Sequence, residues 1–164
     1  MKQIFWTLLF TWLIQWAMGA PPIAVSAETA TKVKSLLSEL RPQAQLWQYH
    51  SLVNNPPKET ENNRQSITIA RQEVAKAHET IPKIRKLLKV GASVFSYPSL
   101  LAHGDISYQA IGKGDPFALN ANIEMGYRLY MGLPVGHTRH TFDVEILFDS
   151  TGTIREISDV HGRE

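Results

Sequence analysis

Two histidines near the carboxyl terminus, His137 and His140, have side chains that bind zinc or copper, and Asp143 follows three residues later. Residues three apart on a β-strand point to opposite faces, so these histidines can share one ion only if they lie in a loop. A third ligand would also be needed, and Asp143, His103 and His161 are the candidates. Because exposed histidines beside a hairpin turn explain the pattern more simply, we assign no metal.

A pair of carboxylates, Asp143 and Glu145, is the candidate for acid–base chemistry. Such pairs divide the acid and base roles only where burial or neighbours separate their pKa values. The predicted solvated strand face offers no such environment. The chain also lacks a Gly-x-Ser-x-Gly nucleophile motif. We therefore assign no catalytic residue and no cofactor, and keep as the alternative function a periplasmic metal-binding protein or enzyme using His137, His140 and nearby carboxylates.

Arg128, Tyr130 and Arg139 are the candidates for contact with a partner. Arg128 and Tyr130 lie on the polar face of a predicted strand, and Arg139 follows across the Gly-Leu-Pro-Val-Gly connector. Tyrosine and arginine are enriched at the centres of protein interfaces. Packing across an amphipathic sheet is the alternative role. The sequence predicts a protein partner at these three residues.

Three strands must position these side chains. Apolar residues alternate with mostly polar ones over residues 123–131 and again over 142–148, which is the period of a half-buried strand. The Asp149–Gly152 turn is typical of a short hairpin that leads into a third strand over 153–160. If Asp149 pairs with Thr153, Phe148 faces Ile154 and Phe142 faces Val160. The same register leaves Ile157 on the opposite face.

Helices are predicted before the sheet. A first helical stretch covers Thr29 to Val53, with a helix to about Arg41 and then a bend or a restart at Pro42. A heptad pattern from Ile67 to Leu88 predicts a second stretch, bent at Pro82 or restarted with Thr80 as its cap. The polar connector between them favours a helical hairpin. A self-contained hairpin predicts a monomer, whereas an exposed seam predicts an oligomer, and the sequence is compatible with both.

The region between the helices and the strands carries turn signals. Pro98–His103 is predicted to form one helical turn, and Asp105 is expected to cap a second turn through Tyr108 and Ile111. A sheet with one apolar face must bury that face against another layer, and the predicted helices are the elements available to do so. The predicted fold is α+β, with a helical hairpin over 28–90 and a small domain over 91–164 that contains a three-stranded antiparallel meander packed against helices.

The amino terminus has the pattern of a secretory signal peptide over residues 1–27. Lys2 precedes an apolar run, and small residues follow before Glu28. Cleavage is expected after Ala27, with Ala20 as the second position. An uncleaved anchor is the remaining alternative, and membrane contact would then be limited to this segment. The pattern predicts export to the bacterial periplasm or exterior.

Composition limits the remaining classes of function. The 164 residues include 17 Lys and Arg against 15 Asp and Glu, and no cysteine. The near balance of charge gives no indication of nucleic-acid binding. The lack of cysteine excludes disulfides, thiolate metal sites and a thioether-linked lipid.

The carboxyl-terminal half resembles a known family. The resemblance rests on Gly-Lys-Gly-Asp-Pro at 112–116, Tyr-Arg-Leu-Tyr at 127–130 and TFDVEILFDSTGTIREI at 141–157. These segments are similar to the small periplasmic SmpA/OmlA family, which includes the BamE-like proteins. The resemblance implies two short helices on a three-stranded antiparallel sheet and a non-catalytic role in envelope assembly through contact with other proteins. The chain departs from the family in lacking a lipid-bearing cysteine and in carrying an additional helical hairpin.

Overall fold

The computed structural model describes residues 21–111, 125–132 and 144–159, and within them the chain is α+β. The elements are helices α1 (Ala27–Ser38), α2 (Gln43–Asn54), α3 (Glu61–Arg85) and α4 (Leu100–His103), a 3₁₀ turn (Val94–Ser96), and strands β1 (Asp105–Ala110), β2 (Met125–Met131), β3 (Val144–Asp149) and β4 (Ile154–Asp159). The strands form one sheet in the order β1-β2-β3-β4, and each neighbouring pair is antiparallel.

Helices α1 and α2 are separated at Pro42. The Ser26 hydroxyl accepts a hydrogen bond from the Thr29 amide and caps α1. Helix α1 ends at Ser38, and Pro42 stands at the N-cap of α2, where its missing amide proton costs nothing. The expected interruption at Pro42 is therefore a restart. The Arg41 side chain then pairs with Glu73 of α3 at 3.1 Å.

Helix α3 follows the heptad pattern. Thr60 and Asn63 form a capping box at its start. Its buried face consists of Ile67, Ala70, Val74, Ala77, Thr80, Ile81 and Ile84. Of the two alternatives at Pro82, a bend or a restart, the restart is wrong, because the helix runs through Pro82 to Arg85 and Thr80 is buried within it. Helix α2 packs against α3.

The predicted second helical turn at Asp105 is also wrong, because residues 105–110 form strand β1 and the described sheet has four strands. Residue 105 pairs with Tyr130 and residue 110 with Met125. Gly104 permits this pairing, since a Cβ there would collide with the Leu129 side chain and lie 2.9 Å from the Tyr130 carbonyl oxygen. The helical turn before it, at Leu100–His103, is confirmed.

The hairpin between β3 and β4 has the predicted pairing of Phe148 with Ile154. Gly152 takes a φ of +82°, a conformation that favours glycine. One extra residue, Arg155, then shifts the register by a bulge, because Leu147 pairs with Glu156. Ile157 consequently lies opposite Ile146 and packs against the core, which corrects its predicted position on the other face.

One cluster of buried apolar side chains is shared by the helices and the sheet. It includes Leu37, Ile81, Ile84, Leu129, Ile146 and Ile154. No helix within the described ranges has the length and apolar character needed to cross a bilayer.

Several predicted features lie outside the described residues. They are the signal segment up to residue 20, the 112–116 turn, the metal candidates His137, His140, Asp143 and His161, the partner candidate Arg139, and the pairing of Phe142 with Val160.

Candidate functional site

The face of the sheet opposite the core carries an ordered set of polar and aromatic side chains. Tyr130 of β2 lies between Asp105 of β1 and Glu145 of β3, its direct cross-strand partners. Two residues earlier, Arg128 lies between Ser107 and Leu147. Directly opposed residues in an antiparallel pair project from the same face of the sheet. The three strands therefore present these side chains together.

Arg128 connects the three strands. Its Nε donates to the Ser107 hydroxyl at 3.2 Å, and its Nη1 donates to Glu145 Oε1 at 3.4 Å. The Arg128 side chain stays partly exposed, with 43% of its surface accessible. It is held by neighbours on both sides and still has N–H groups to offer.

Trp47 reaches this face from α2. The buried Gln43 side chain holds the start of α2 against the end of β2: its Oε1 accepts the Gly132 amide at 3.0 Å, and its Nε2 donates to the Gly132 carbonyl. Trp47 lies one helical turn later, on the same side of the helix. Its ring meets Tyr130 edge to face, with centroids 6.5 Å apart.

An open pocket of about 280 Å³ lies between these groups. It is lined by Trp47, Asp105, Ser107, Arg128, Tyr130 and Glu145. A second depression of about 290 Å³ adjoins it beyond Trp47 and shares Trp47 and Asp105. We call the first of these the Trp47 pocket.

The Trp47 pocket is lined by two aromatic rings and by more acidic than basic side chains. Asp105 and Glu145 contribute two carboxylates, and Arg128 contributes one guanidinium. The two aromatic rings and the hydrogen-bonding groups around them suit a side chain with an apolar stem and a polar end. The pocket therefore has the groups needed to bind a side chain of this kind.

The sequence anticipated part of this site. Arg128 and Tyr130 share the predicted polar face and line the pocket, although their role as partner contacts remains a prediction. The sequence reasoning missed Trp47, Asp105 and Ser107 as site residues. The signal that could have indicated Trp47 is its position on α2 away from the apolar stripe of that helix.

A second exposed group lies on the core-facing side of the sheet, along β1. Tyr108 is 64% exposed and packs edge to face on Tyr127, which in turn stacks on Phe148. Ile106 and Met125 are exposed beside them. This aromatic surface is separated from the Trp47 pocket by the thickness of the sheet.

Within residues 21–111, 125–132 and 144–159, no three His, Asp or Glu side chains converge as a metal site would require. His103, one of the candidate third ligands, bonds through its Nδ1 to the Ser99 carbonyl at 3.0 Å.

Comparison of the chain with protein-family models, curated proteins and solved structures gave no match.

Proposed function

We propose that the protein is an exported, non-catalytic module that binds another protein of the bacterial envelope through the Trp47 pocket. One observation carries this: α2 and β2 bring an arginine and two aromatic side chains into one open pocket, which residues of β1 and β3 complete. Trp, Tyr and Arg are the residues most often found at the energetic centre of protein interfaces.

The manner in which the pocket is held also favours recognition. Gln43 fixes α2 to the end of β2, and Arg128 is held by Ser107 and Glu145. Groups that are ordered before binding lose less conformational entropy when a partner arrives. The expected export and the resemblance to the SmpA/OmlA family supply the location and the assembly role in this proposal.

The test is affinity capture of the tagged full chain after crosslinking in a bacterial envelope. The double substitution Arg128→Ala/Tyr130→Ala is expected to reduce recovery of a specific partner at least about tenfold, as for the loss of interface hot spots. Trp47→Ala, which changes a residue of α2 rather than of β2, should also reduce recovery of this partner.

Tyr108→Ala is the matched control, because it removes an exposed tyrosine from the opposite face of the same sheet. It should leave recovery unchanged. Thermal melts establish that each variant is folded. Unchanged recovery with both pocket variants, or loss with Tyr108→Ala alone, would move the contact away from the pocket and contradict the proposal.

A further inference from the structure

We infer that the Trp47 pocket receives a cationic side chain, an arginine or a lysine, from the protein partner. This inference rests on the proposed function and specifies what the same site recognises.

The first argument is the charge of the lining. Two carboxylates, Asp105 and Glu145, face one guanidinium, Arg128. That guanidinium is already engaged with Glu145 and Ser107. An incoming carboxylate would therefore meet an excess of negative charge, whereas an incoming cation is attracted to it.

The second argument is the position of the aromatic rings. Trp47 is 41% exposed, meets Tyr130 edge to face and lines the pocket with it, so an entering group can contact the indole. Cations bind over the faces of aromatic rings, and tryptophan is the strongest of these partners. Arginine in addition can stack its planar guanidinium on the ring.

The third argument is the placement of the acidic groups around Tyr130. Asp105 and Glu145 flank Tyr130 on the two neighbouring strands. Cross-strand neighbours have Cβ atoms about 5 Å apart, so a cation that enters the pocket beside Tyr130 has a carboxylate on either side within reach. The aliphatic stem of the entering side chain would lie against Trp47.

The test uses isotope-labelled full chain and capped pentapeptides, Gly-Gly-X-Gly-Gly, in which X is Arg, Lys, Gln or Glu. The indole N–H resonance of Trp47, identified by its loss in Trp47→Phe among the four tryptophans of the chain, reports binding. We expect the Arg and Lys peptides to shift this resonance and the Gln and Glu peptides to leave it in place.

Asp105→Asn should weaken binding of the Arg peptide about two- to fivefold, the effect of losing one exposed ion pair. Glu156→Gln is the matched control, because it neutralises an exposed carboxylate of the same sheet outside the pocket lining. Stronger binding of the Glu peptide, equal binding of all four, or no effect of Asp105→Asn would overturn the inference.

The proposed function and the cationic ligand can be rejected independently of each other. If partner capture depends on Arg128 and Tyr130 while the Arg and Lys peptides leave Trp47 unaffected, the proposed function stands and the cationic ligand is rejected. If recovery of the partner is unchanged in the pocket variants, the proposed function fails, whichever peptide binds.

Discussion

The Asp149 carboxylate is almost fully buried, with 4% of the residue exposed, at the start of the β3–β4 turn. Its Oδ1 accepts hydrogen bonds from the Thr151 amide at 2.9 Å, the Thr153 amide at 3.0 Å and the Thr151 hydroxyl. Its Oδ2 pairs with Arg155 Nε at 2.7 Å. Burial alone would raise the pKa of Asp149, but these hydrogen bonds and the charge of Arg155 lower it below the ordinary value.

Asp149→Asn is expected to lower the free energy of unfolding by about 1–3 kcal/mol near neutral pH, because charged hydrogen bonds in a buried site are lost. A folded-state pKa below the unfolded one means that the ionised carboxylate stabilises the fold above about pH 4. That stability is lost as pH falls through the folded pKa. Urea unfolding of both proteins should therefore give a constant difference from pH 8 to 5 that narrows below pH 4.

Arg155→Gln is the control for this prediction, since it removes the ion pair and leaves the hydrogen bonds of the turn. Its effect should be smaller than that of Asp149→Asn. A difference between wild type and Asp149→Asn that persists undiminished to pH 3 would show that the carboxylate charge is not what stabilises the turn.

At the scale of elements, Gln43 is the contact that sets α2 on the sheet. Gln43→Leu would leave the buried amide and carbonyl groups of Gly132 without this partner, so we expect a loss of about 1–3 kcal/mol in unfolding free energy. Gln45→Leu, the same change at an exposed position of α2, should be close to neutral. Chemical denaturation measures both, and equal effects would contradict the assigned role of Gln43.

The elements differ in how well sequence patterns predict them. Helix α3 and strands β2 and β3 each bury one periodic face, so their apolar spacing indicated them, and the Asp149–Gly152 turn indicated β4. Strand β1 has only Ile106 and Tyr108 as large apolar residues, and both are exposed. Its strand conformation depends on pairing with β2, which no local pattern specifies. Asp105 also resembles a helix cap, and this local signal favoured the wrong element.

The candidate site shows the same division. Arg128 and Tyr130 follow from the alternation within β2. Trp47 joins them from a helix about eighty positions earlier in the chain, through the Gln43 contact with Gly132. Placing Glu145 in the site required the register between β2 and β3, two strands that are well separated in the sequence. Contacts between distant segments are set by tertiary packing, so periodicity could not predict them.

At the scale of the whole molecule, residues 21–26 are built into the fold. The Ile23 amide donates to the Gly91 carbonyl at 2.7 Å, and Ile23 forms a bridge with Ala92. Val25 packs against the core, and Ser26 caps α1. Cleavage after Ala27, the first position suggested by the sequence, would remove all of these contacts, whereas cleavage after Ala20 would keep them.

We therefore predict that, if the exported protein is processed, its mature amino terminus lies before Ile23. Intact mass and amino-terminal sequencing of the protein isolated from the envelope measure this directly. In the same isolated protein, Ser26→Ala should lower the unfolding free energy by about 1 kcal/mol through loss of the cap, and Ser26→Asp should retain most of it. A mature chain that begins at Glu28 would contradict the prediction, because α1 would then fold without its cap and without the Ile23 bridge.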